Sequence, residues 1–172
     1  MTSTLASSLA GQYSAGWAIF AGAIGAMAML VVIYGGRAMG MTKMDLLRTL
    51  GTMVQPKGST NVVYGIGLMM HLMMGAAFGL AHTGLLHAFD PSSTGAATGL
   101  GILLGAVHGM VVTGGMPMML KMGHPLVKDG TIDDPGPAMT GFGKMTPMGM
   151  VMAHVVYGLV VGAIYAGAVA VG

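Results

Sequence analysis

A chain of 172 residues that is 54% hydrophobic and only 7% charged cannot cover a soluble surface, where about 25% charged residues are usual. Its mean hydropathy of +0.77 marks an integral membrane protein, read as a single transmembrane domain over residues 1–172. Seven Lys and Arg against five Asp and Glu give no case for nucleic acid, and the lack of cysteine excludes disulfides, iron–sulfur clusters and thiolate metal sites.

The opening MTSTLASSLAGQYSAG is small and polar and lacks a basic n-region, so no cleaved signal peptide is expected. Four apolar runs follow, each near the roughly 20 residues a bilayer needs. They span about Gly16 to Ala38, Asn61 to Leu86, Thr94 to Leu120 and Pro147 to Val169. After the first run, TKMDLLRTLGTMV places Thr42 and Asp45 in capping-box spacing. Met44, Leu47, Leu50 and Val54 share one helical face there, which predicts a short helix on the membrane surface. The turn FDPSSTG is short and predicts an antiparallel hairpin of the second and third runs. The segment GHPLVKDGTIDDPGPAMTGFG is rich in Pro and Gly and reads as irregular. Every Lys and Arg falls in two loops: Arg37, Lys43, Arg48 and Lys57 in the first, Lys121, Lys128 and Lys144 in the third. The positive-inside rule puts both loops in the cytoplasm and both termini outside.

The halves resemble each other. HLMMGAAFG (His71 to Gly79) and HVVYGLVVG (His154 to Gly162) both read H-x-x-x-G-x-x-x-G. GAMAMLVVIYGG (Gly25 to Gly36) and GAVHGMVVTGGM (Gly105 to Met116) match at nearly the same offset. Two duplicated helix hairpins are expected, related by a pseudo-twofold axis along the membrane normal. The glycine ridges let neighbouring backbones approach. His71 and His154 lie on such ridges and should point into the bundle.

A rise of 1.5 Å per residue brings His71, His108 and His154 to a similar depth, with Met70 and Met74 beside them. Ionisable groups inside a membrane mark function. Imidazole with thioether suits copper, and two imidazoles on facing helices suit haem b. The plainer alternative is that they hydrogen-bond across helices as structural glue. No carboxylate lies at this depth, which argues against a proton pump or a hard-cation carrier; Thr113 is the nearest other polar group. His82 and His87, beside Asp90, read as outer interfacial residues or an exposed metal-acquisition site. His124 before Pro125 reads as a helix-ending turn, and MPMMLKM as an interfacial helix end or a copper-acquiring methionine cluster.

The stretch GAVHGM, followed by HPLV, DPGP and MTPMGMVMAHVVYGLVVGAIY, resembles a family of small four-helix prokaryotic integral membrane proteins of unknown function. The resemblance covers the second half well and the first half loosely. It implies the four-helix topology and a prokaryotic cytoplasmic (inner) membrane, and no assigned activity. High-affinity copper transporters share the M-x-x-x-M and G-x-x-x-G style, but have three helices and Met-rich exterior tails. The expected protein is therefore an all-α, four-helix membrane bundle, not an enzyme. The leading function is an accessory or structural subunit packing through glycine ridges, in a homo-oligomer or with a membrane-protein partner, surrounded by lipid. The runner-up is a copper- or haem-binding protein using His71, His108 and His154, with Met70 and Met74 as extra metal ligands; a small transporter or channel comes third.

Overall fold

Long apolar runs can satisfy their backbone groups in lipid only as helices or closed barrels. In the computed structural model, which describes residues 13–171, four helices are long and apolar enough to cross a membrane. They are α1 (Ala15–Ala38), α3 (Thr60–Phe89), α4 (Thr94–Gly123) and α6 (Thr146–Val171). Two short helices, α2 (Leu46–Val54) and α5 (Pro125–Lys128), and a 3-10 segment (Pro137–Phe142) complete the chain. No strand occurs among the described residues. The expectation of no signal peptide rests on residues 1–16, of which 1–12 lie outside the described residues.

α3 and α4 each run to 30 residues, longer than the apolar runs alone suggest. Nothing breaks α3 until Asp90, which takes a left-handed conformation (φ 43°) immediately before Pro91. Ser93 then caps α4 by accepting the Ala96 N–H at 3.1 Å. At about 45 Å each, these helices outreach the roughly 30 Å hydrocarbon core.

Glycine decides which helices meet. A methyl group on Gly22 of α1 would strike the Gly75 carbonyl and the Gly79 Cα of α3. On Gly101 of α4 it would strike the Gly158 carbonyl and the Gly162 Cα of α6. The two contacts are built alike: Gly79 lies against the Ala18 carbonyl, and Gly162 against the Ala97 carbonyl. α1 also packs on α6, where Gly25 receives the Tyr157 ring. The order around the bundle is thus α3, α1, α6, α4. The ridges that read as partner surfaces in the sequence are occupied within the chain.

α3 and α4 behave differently. Although joined by a short turn, they touch only sparingly. The hairpin expected from FDPSSTG is joined through side chains, Phe78 and His82 of α3 reaching His108 of α4, because each helix has its glycine ridge turned to another partner.

The short helix after α1 is present, with two corrections. Its N-cap is Asp45, which accepts the Arg48 N–H at 3.2 Å; Thr42 instead accepts from the Met44 N–H at 3.1 Å. Its buried face is Leu46, Thr49, Leu50, Gly51 and Thr52, while Leu47 is half-buried and Val54 is 57% exposed. The face turns because Gly51 seats against the Val63 carbonyl and Gly67 of α3 seats against the Leu47 carbonyl. α2 is therefore docked on α3.

The segment after α4 is irregular, as its Pro and Gly content predicts, yet it is packed. Met139 and Phe142 are buried, and Ala138 and Met139 take positive φ. The loop is tied back to the start of α2 where the Lys43 N–H meets the Phe142 carbonyl at 2.6 Å and Thr146 donates to Thr42 at 2.8 Å.

Candidate functional site

The gap between α3 and α4 is a cavity of about 300 Å³. Its walls come from α1, α3, α4 and α6, and Leu46 and Leu50 of α2 close one end. Met74, Phe78 and Met119 line it yet remain 40–45% exposed, so it opens sideways through the α3–α4 gap. Eight of its seventeen lining residues are Met or His, against 21 Met and 6 His in the whole chain of 172. The lining is several-fold enriched in soft donors and carries no carboxylate.

His71, His108 and His154 all line this cavity. The rings of His108 and His154 meet edge to face, with centroids 4.8 Å apart. His71 instead donates its Nε2–H to the Ala26 carbonyl of α1 at 3.0 Å. The third ring at His108 is that of His82, with centroids 5.4 Å apart and Nε2 3.3 Å from His108 Nδ1. Side chains lean toward the N-terminus of their helix. His82 therefore leans back along α3 onto His108. Tyr157 and Phe78 complete the surround, their rings 5.1 Å from His82 and 4.2 Å from His108.

His82, which the sequence suggests is an outer interfacial residue or part of an exposed metal-acquisition site, is buried, 4% exposed. The missed signal is periodic. His71, Gly75, Gly79 and His82 follow one helical stripe (i, i+4, i+8, i+11), so the ridge that turned His71 inward turns His82 inward too. His87 lies farther along α3, half-buried, with Nε2 2.7 Å from the Tyr165 hydroxyl. Of the methionines, Met74 lines the cavity, whereas Met70 packs against the core outside it. Met29, Met116, Met119 and Met150 are the further thioethers of the wall. Within MPMMLKM, Met116 and Met119 face the cavity while Met118 and Met122 are exposed.

Hydrogen bonding assigns the imidazole protons. A carbonyl can only accept, so the 2.7 Å contact between His154 Nδ1 and the Met150 carbonyl carries the proton on Nδ1 and leaves Nε2 as a lone pair. The His82–His108 pair shares one proton, and neither His82 Nδ1 nor His108 Nε2 finds a partner among the described residues. Each unmade bond of a buried polar atom costs roughly 1–3 kcal/mol. Packing alone gives no reason to retain such a pair where a Leu would serve.

Two outer groups hold the cavity floor. His124 is fully buried and ends α4. Its Nε2–H donates to the Thr49 carbonyl at 2.9 Å and to Thr52 Oγ1 at 3.2 Å, pinning α2 to α4. Asp45 accepts from Tyr34 at 2.8 Å, from Arg37 and from Tyr64, pinning α2 to α1 and α3. Burial alone would raise the Asp45 carboxyl; the bonds from Tyr64, Arg37 and Tyr34 outweigh it and hold the group below the usual carboxylate range.

Haem fits this arrangement poorly, because axial imidazoles must stand apart on opposite faces of the macrocycle, whereas His108 and His154 are in contact. Among the described residues no three His, Asp or Glu side chains form a metal-holding group by themselves; a metal here would need thioethers as well. No family model matches the chain, and no curated protein or solved structure does so either.

Proposed function

We propose that the protein is a non-enzymatic integral membrane protein whose α3–α4 cleft takes up a guest from the bilayer, acting as the binding subunit of a homo-oligomer or a larger membrane complex. The observation that carries this reading is the laterally open cavity with His108 and His154 on its wall. A guest entering between α3 and α4 meets lipid-facing side chains before it meets imidazole. The accessory role read from the sequence is retained, but its contact surface moves. The glycine ridges are engaged within the chain, so a partner would meet the lipid-facing side chains.

Three finer features belong to the same proposal. The duplication is supported by the matched pairs Gly22 with Gly75 and Gly79, and Gly101 with Gly158 and Gly162. They favour a register one residue away from the alignment of Gly25 with Gly105. Basic loops favour the α2 end on the cytoplasmic side of a prokaryotic inner membrane, with both termini outside. The exposed Arg48 and Val54 of α2 then lie at that membrane surface.

The test is to fill the cleft. Gly115 lines the cavity and has nothing within 4 Å of a Cβ position, so Gly115→Phe should fold while occupying the space. Native mass spectrometry and elemental analysis of gently extracted protein should find bound material that this variant lacks. Identical bound material in both proteins would overturn the reading.

A further inference from the structure

Resting on the cleft reading, we propose that the cavity is a site for a monovalent soft metal ion, Cu(I), bound by His108 and His154 with thioether sulfur from Met74 and Met150. The two imidazoles are prepared as ligands usually are. Histidines that bind metals have the far ring nitrogen fixed by a hydrogen bond, which turns the other lone pair inward. His154 holds its Nδ1–H on the Met150 carbonyl. His108 has Nδ1 against His82 Nε2, and in the tautomer where it donates, the free lone pair is Nε2, the buried atom without a partner. The two rings are also close: their centroids stand 4.8 Å apart, near enough for one ion to reach both.

Two thioethers share this lining with the imidazoles. Met150 and His154 are one turn apart on α6, and Met74 lines the opposite wall on α3. Methionine has three rotatable bonds and a polarisable sulfur, so these side chains can swing across the cavity onto an ion. The donor set also selects charge and softness. All four donors are neutral, and no carboxylate lines the cavity. A divalent ion would keep its full charge in an apolar surround, which is costly. A monovalent ion matched to imidazole and thioether is favoured. His82 is a positioning residue that acts through His108.

The test uses the full-length protein in lipid nanodiscs, titrated with Cu(I) against a competing chelator and with Ag(I) as a redox-stable probe. Saturable binding near one ion per chain is expected, with nitrogen and sulfur scatterers in the X-ray absorption spectrum and no competing Zn(II) uptake. Met74→Leu with Met150→Leu preserves shape, and should remove the sulfur scatterers with at least a tenfold loss of affinity. His82→Leu should weaken binding about 10–100-fold while leaving the ligand shell intact. Met118→Leu, on an exposed position, should change nothing. Absence of saturable Cu(I) or Ag(I) binding by folded protein, or binding unaltered in the double methionine variant, overturns the proposal. If such a protein still carries an organic guest that Gly115→Phe loses, the cleft reading stands and only the metal is wrong. If no guest of either kind is found, both fall.

Discussion

Asp45 collects hydrogen bonds from α1, α2 and α3 in a space 9% exposed. Its folded-state pKa is depressed, so its contribution to stability is complete above the ordinary carboxyl value of 3.8 and is lost as pH falls through the lower folded value. Thermal unfolding in detergent should be insensitive to this group at neutral pH and weaken at acid pH. Asp45→Asn should abolish that acid step and cost on the order of 1–3 kcal/mol at pH 7; an unchanged acid profile in the variant would count against the assignment. At this scale the sequence spoke clearly about residue type and poorly about direction. Counting 1.5 Å per residue placed His108 and His154 together, which holds. It could not include the lean of side chains along a helix, and that lean adds the His82 ring to His108. Thr42 looked like the cap of α2 from spacing alone, yet Asp45 wins because two tyrosines and an arginine reach it from elsewhere.

Helices in lipid gain little from hydrophobicity against each other, so close backbone approach decides which pairs form. Gly101 and Gly158 are such positions, each seated on the other's carbonyl. Gly101→Ala should lower stability by about 1–3 kcal/mol through overpacking, and Gly158→Ala similarly. Gly84→Ala, with nothing within 4 Å, should be neutral or stabilising by up to about 1 kcal/mol through helix propensity. Equal unfolding midpoints for Gly101→Ala and Gly84→Ala would refute the ridge assignment. The four spans were legible because length and apolarity are local properties. The pairing register was not, since a one-residue shift rotates a helix by 100° and leaves its composition unchanged.

The whole molecule is a bundle with three closed seams and one open one. Openness between α3 and α4 is a scarcity of backbone contact, with Phe78 and His82 reaching His108 across it, and no residue spells a scarcity; a short turn between two spans reads the same however closely they pack. The chain lacks cysteine, so single-cysteine variants can report its orientation directly. Lys57→Cys and Lys128→Cys should react with an impermeant thiol reagent only from the cytoplasmic side, and Asp90→Cys only from outside. The opposite pattern would invert the proposed topology and place the α2 end outside.

The floor of the cavity also sets an order of events during synthesis. α2 leaves the ribosome early, but some of its anchors arrive late: His124 at the end of the third span, then Phe142 just before the fourth and Thr146 at its start. Until those residues emerge, the first hairpin is in the membrane with its short helix held on one side only. A chain stalled or truncated before His124 should therefore expose α2 to protease, and quality control of this protein should read that segment as the last to be secured.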